Sequence, residues 1–183
     1  MNLWINAILY QATWLVAIAG AAHDCWWAGL LALVVFASWQ LAVSPQRRAD
    51  VWLMLFAAVI GFAIDSTFAQ TGLLEYAAAT PWEHLAPAWI VALWISFALT
   101  LNHSLAYLKT HAWVGSALGG IGAPLAYLAA AHWGAIVFPA SPMPSLLVLA
   151  AVWAVLTPAL CRLAQTLCLH SSPATFALHG GPQ

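Results

Sequence analysis

Charge is what this chain has least of. Only 5% of its 183 residues are charged, four Lys or Arg against five Asp or Glu. Nine such side chains cannot clothe a soluble domain of this length in a polar shell. The formal net charge of −1 offers nothing to a polyanion, so no nucleic-acid partner is expected. Cysteine is also scarce: Cys25, Cys161 and Cys168 cannot build a disulfide framework. The latter pair sits two turns apart on one helix, roughly 10 Å, too far to bridge. A phosphate-binding glycine loop, a catalytic serine elbow and a dinucleotide fingerprint are all missing. No cofactor is therefore expected, and whether the protein is an enzyme stays open. Finally, no Lys or Arg precedes the first apolar run, and that run exceeds the ~7–15 residues of a signal peptide. Although Ala19-Gly20-Ala21 offers a cleavage site, the expectation is that the segment is retained.

Long apolar runs are what the chain does have, with 64% hydrophobic residues. A helix needs about 20 apolar residues to cross the hydrocarbon core. Six stretches qualify: 3–22, 26–43, 51–70, 88–108, 112–131 and 145–163. Arg47, Arg48, Lys109 and Arg162 fall in or beside every second gap, and cytoplasmic flanks are the ones that collect Lys and Arg. The expected fold is all-α: a polytopic membrane bundle of six transmembrane helices, N-in and C-in. It forms one domain over 1–170, followed by a disordered cytoplasmic tail over 171–183 that is rich in Gly, Pro and Ser. Arg47 and Asp50 are placed in the inner loop 44–50, and 71–87 is the longest outer loop. Pro139, Pro142 and Pro144 break the chain before the last span. Of twelve tryptophans, Trp4, Trp39, Trp52 and Trp113 fall near inner ends. Trp26, Trp27, Trp82, Trp89 and Trp133 fall near outer ends, where an indole finds a wet partner. Trp14, Trp94 and Trp153 fall mid-span and read as packing residues.

Polar groups within spans carry the functional information, because they are costly there and usually face the bundle interior. Asp65 shares a small face with Ala58, Gly61, Ala69 and Gly72. It reads either as a proton-binding or substrate-binding carboxyl, or as a structural acid joining two helices. In the fourth span Ser96, Thr100, His103 and Tyr107 recur at i, i+4, i+7 and i+11, one helical face. Ser104 borders this face and Asn102 points elsewhere. The stripe suits a hydrogen-bonded relay or a polar pocket wall, with His103 as acid, base or ligand; interhelical hydrogen bonding is the plainer reading. Asn6, Tyr10, Thr13, Ala17 and Gly20 form a milder face on the first span, with Gln11 off it. Asp65 and His103 differ in depth by roughly 10 Å, so two sites are expected rather than one Asp-His pair. His23, Asp24, Glu75, Glu83, His84 and His132 gather on the outer side. None of them has a metal-helix spacing, so they read as solvated loop residues and no metal is assigned. In the fifth span Gly115 and Gly119 form a GxxxG, and Pro124 withdraws a backbone donor from the helix interior.

Three segments carry a resemblance. Residues 87–105 (PAWIVALWISFALTLNHSL), Gly61 to Asp65 (GFAID) and Gly119 to Tyr127 (GGIGAPLAY) resemble motifs of a family of small bacterial inner-membrane proteins of unknown function. The stretch from Trp26 to Gly29 departs from the Pro-Trp-x-Gly form of that family. The resemblance implies a bacterial inner-membrane location and a faint link to lipid chemistry, but no activity. The expected function is an accessory or binding protein with an intramembrane polar pocket for a lipid or small lipophilic molecule. Asp65, His103, Thr100, Asn102, Tyr107 and Ser96 are its candidate residues. A proton-coupled transporter using Asp65 and a membrane enzyme using His103 are the alternatives. The bilayer is the expected partner, with a homodimer or a partner membrane protein conceivable.

Overall fold

A computed structural model describes residues 3–171, so most of the tail expected over 171–183 lies outside the described residues. Six α-helices form the bundle: α1 (Leu3–Ala22), α2 (Ala28–Val43), α3 (Arg47–Gln70), α4 (Ala88–Leu101), α5 (Ala112–His132) and α6 (Pro142–Ser171). The fold is therefore an all-α helical bundle. α1, α3, α5 and α6 are long and apolar enough to cross a membrane, whereas α2 and α4 are shorter. Apolar side chains cover the outside, with Leu31, Val59, Ile121, Leu125, Leu147 and Val155 all more than half exposed. In water such a surface would be a liability. Against lipid tails it is the ordinary one.

α4 sits at the centre. It packs against α1, α2, α3 and α6, and Trp89, Ile90, Trp94, Ser96, Leu99 and Leu101 are all buried. Its 14 residues reach only about 21 Å, short of the ~30 Å hydrocarbon core. The expected span 88–108 is thus cut at Leu101. Asn102, His103 and Ser104 have short polar side chains that compete with helical hydrogen bonding, and the backbone turns as the amides of His103 and Leu105 both bond to the Thr100 carbonyl. A 3-10 turn over Ala106–Thr110 then leads into α5. The end of the bundle holding this turn, the α2–α3 connection and Lys109 is called the basic end below.

At the opposite end the long connection between α3 and α4 is folded rather than merely solvated. Its β1 (Glu75–Tyr76) pairs antiparallel with β2 (Ile136–Val137), Glu75 opposite Val137 and Tyr76 opposite Ile136. Leu74 and Ala86 are buried beneath this hairpin-like cap, and Ser66 accepts the Ala86 amide at 3.0 Å. Trp89 is not an interfacial residue as its position suggested. It is wholly buried and donates its indole N–H to the Ala77 carbonyl at 2.9 Å. The partner an indole wants near the headgroups is here supplied by the cap.

α5 and α6 form the closest helix pair. Pro142 begins α6 instead of breaking the chain before it, as suits a residue with no N–H to leave unpaired. Gly119 allows the contact, since a Cβ there would run into the Trp153 carbonyl and Thr157.

Candidate functional site

A cavity of about 670 Å³ lies between α1 and α5, two helices that make no substantial packing contact with each other. α4 supplies its floor through Leu93, Trp94, Phe97 and Thr100, and α6 its back wall through Trp153 and Thr157. Tyr10, Gln11 and Trp14 line it from α1. On α5 the lining residues Gly122, Ala123 and Leu125 bracket Pro124. The surface is mostly apolar with a few hydroxyls, the ordinary make-up of a small-molecule pocket, and its size falls in the usual range of ~300–1,000 Å³. The aromatic wall is rigid: Trp94 stacks on Trp153 with ring centroids 4.5 Å apart, and Phe97 meets Trp153 edge-on. Tyr10 packs against Phe97 at 6.3 Å.

Asp65 does not line this cavity; it stands directly behind it. Three donors converge on its carboxyl. Tyr76 and Tyr127 donate to Oδ1 at 2.6 and 2.7 Å, and Trp94 donates its indole N–H to Oδ2. Tyr127 and Trp94 are themselves cavity residues, so the acid fixes two side chains of the wall. Tyr76, in the cap, has its phenol lifted well above the ordinary value, first by burial and then by the neighbouring Asp65 carboxyl. It therefore stays protonated and remains a donor. Gly61 makes the approach of Trp94 possible, since a Cβ there would overlap the indole ring. The small face of α3 that the sequence displayed is thus a seat for one tryptophan.

His103 belongs to a second site at the basic end. Its Nε2 lies 3.0 Å from Asp50 Oδ2, and both side chains are buried. Ser44 donates to Asp50 Oδ2 at 2.6 Å and Asn102 to Oδ1 at 2.9 Å. Lys109 donates to the Asn102 carbonyl oxygen at 3.0 Å, and the Cys168 thiol lies 3.2 Å from that oxygen. The sequence places Asp50 in the inner loop; α3 in fact starts at Arg47 and carries it in its first turn. A carboxylate there complements the helix N-terminus. The spacing argument that sent Asn102 away from the stripe fails because α4 has ended: Asn102 and His103 both turn towards Asp50. Replacing Ser44 by Ala removes this donor and also the acceptor of the Gln46 amide, 3.0 Å away. The expected loss is about 1–2 kcal/mol of stability, read as a lower melting temperature in detergent, with Ser44→Thr close to wild type.

The remaining predicted residues are spread over the structure. Ser96 and Thr100 donate to carbonyls of their own helix, Ala92 at 2.8 Å and Phe97 at 2.6 Å, so they do not bond across helices. Of the pair only Thr100 reaches the cavity. Tyr107 is 60% exposed and stacks on His111 with centroids 3.8 Å apart. The helix that would have carried it into the stripe stops six residues earlier. Asn6, from the milder face of α1, donates to Gln40 at 2.7 Å and to the Leu99 carbonyl at 3.1 Å, while Ser104 donates to its Oδ1 at 2.5 Å. It fastens α1 to α2 and to the end of α4. Gln11, read as lying off that face, lines the cavity. Asp65 and His103 hold separate partners, Tyr76, Tyr127 and Trp94 for the first and Asp50 for the second. Among the described residues no group of three His, Cys, Asp or Glu side chains is placed to hold a metal ion.

A family model described as protein of unknown function (DUF2878) matches residues 3–159, which takes in all of the first five helices and the cavity. Neither a curated protein nor a solved structure matches the chain.

Proposed function

The chain belongs to that family of proteins of unknown function, and we propose that it is an integral membrane binding protein that holds one lipid or small lipophilic molecule between α1 and α5. The observation that carries this reading is the apolar cavity of about 670 Å³, bounded by two helices that leave a gap instead of closing on each other. A gap between membrane helices is filled by something apolar, because water gains little there. Asp65 serves the site indirectly, by fixing Tyr127 and Trp94 in the wall. We place the basic end in the cytoplasm and the protein in a bacterial inner membrane. The positions of Arg47, Arg48 and Lys109 support that orientation.

Gly122 provides the test. It lines the cavity, and a Cβ added there would meet only Leu118 Cδ1, at 4.0 Å. Gly122→Phe is therefore expected to direct its ring into the space, its Cβ meeting no backbone. Native mass spectrometry of wild type purified in mild detergent is expected to show one retained lipophile per chain, and Gly122→Phe to show none at an unchanged melting temperature. Equal retention by the two proteins would remove the cavity as the binding site.

The Asp50–His103 contact favours a second reading, acid–base chemistry at the basic end. A buried imidazole held by a carboxylate at 3.0 Å is a familiar way to orient a proton-transfer group. His103→Gln would then abolish turnover of a substrate that wild type converts, while leaving ligand retention in the cavity intact.

A further inference from the structure

The chemistry of the cavity wall restricts what it can hold. No Lys, Arg, His, Asp or Glu lines it among the described residues. The nearest acid, Asp65, is shielded by Tyr127 and Trp94, which occupy both of its oxygens. A phosphate or carboxylate drawn into this space would be an unpaired charge in a low-dielectric setting, the costliest group to bury.

Hydroxyls are nevertheless present and unspent. Thr157 is fully buried, lines the cavity, and its Oγ1 has no hydrogen-bond partner among the described residues. That is unusual: a threonine inside a helix commonly donates to the carbonyl one turn back, as Thr13 and Thr67 do here. Tyr10 brings a second hydroxyl to the same cavity, engaged by no hydrogen bond among the described residues. A buried polar group left unpaired is destabilising, so the Thr157 hydroxyl facing this space marks the position of a missing partner, and the half-buried Tyr10 hydroxyl lies at the same cavity.

Resting on the proposal that this cavity is a binding site, we infer that its ligand is an uncharged lipophile bearing a hydroxyl or carbonyl oxygen, which Thr157 and Tyr10 hydrogen-bond within the bundle. The oxygen sits among neutral donors. The apolar remainder lies along Trp14, Leu93, Phe97 and Ala126.

Three probes of equal chain length test it: a long-chain primary alcohol, the corresponding fatty acid and the corresponding alkyl phosphate. Each is titrated into delipidated full-length protein in detergent and followed by native mass spectrometry. The alcohol is expected to bind at one per chain, at least tenfold tighter than the acid or the phosphate. Thr157→Val and Tyr10→Phe should each weaken the alcohol about tenfold, the worth of one buried hydrogen bond. Thr157→Val should at the same time raise the melting temperature of the empty protein, because it removes an unpaired hydroxyl. A threonine needed only for packing would not produce those opposite signs. Tighter binding of the acid or phosphate, or alcohol affinity unchanged in both variants, overturns the neutral-ligand inference. If all three probes bind equally and Gly122→Phe blocks them, the binding site stands and only the ligand class falls. If none binds, the site falls as well.

Discussion

Asp65→Ala is expected to cost the protein most of its stability. The change strands three buried donors at once, the hydroxyls of Tyr76 and Tyr127 and the indole N–H of Trp94. Each stranded donor costs about 1–3 kcal/mol. The total is a large part of the ~5–15 kcal/mol that usually holds a fold together. Little folded protein should then be recovered from membranes, and what is recovered should melt far below wild type. Asp65→Asn keeps one acceptor and should fall between the two. The sharper check is a double-mutant cycle. Tyr76→Phe alone should cost about 1 kcal/mol, but in the Asp65→Ala background it should restore stability, because it removes a donor that no longer has a partner. A carboxyl whose role is to carry protons would show no such rescue, and Asp65→Ala would then fold normally.

The second large effect separates two glycines that look equivalent in sequence. Gly119→Ala places a methyl against the Trp153 carbonyl and the Thr157 side chain. Backbone cannot step aside as a flexible side chain can, so α5 and α6 must part along their closest contact. Overpacking of this kind costs about 1–3 kcal/mol, and more when the obstacle is rigid. Gly115→Ala, one turn away, meets Pro158 at an ordinary 3.8 Å and is expected to be near neutral. Thermal melts of the two variants in the same detergent decide the matter. Equal destabilisation would mean that α5 and α6 do not pack in this register.

How much of this could be read from the sequence differs by element. The limits of α1 follow directly from its apolar run, 3–22 in both sequence and structure. The small face around Gly61 and Asp65 was legible because glycine and alanine at helical spacing announce close contact whatever the partner. The separation of Asp65 from His103 followed from helix rise alone. Asp50 was missed for a specific reason: Arg47 and Arg48 looked like a loop, and their charge hid the fact that α3 had already begun. A carboxylate just after Ser44-Pro45, in a helical first turn, was the available signal. Tyr107 was misplaced because periodicity was extended past Asn102-His103-Ser104, three residues that favour turns. The donors to Asp65 lie 11, 29 and 62 residues away, and nothing in local pattern links them. The cavity was equally hidden, since a gap between α1 and α5 is a property of what those helices fail to touch.

Asn6 has a consequence for how the protein is made. A chain is synthesised from its N-terminus, yet the groups that satisfy this amide follow 34, 93 and 98 residues later, in Gln40, Leu99 and Ser104. Until α2 emerges the amide has none of these partners, and an unpaired amide in hydrocarbon is costly. It lies in the first turn of α1, close to the surface, where lipid headgroups and water can serve it in the meantime. Two of its partners become available only once α4 has been completed. α1 therefore gains its full set of partners only after α4 has been made.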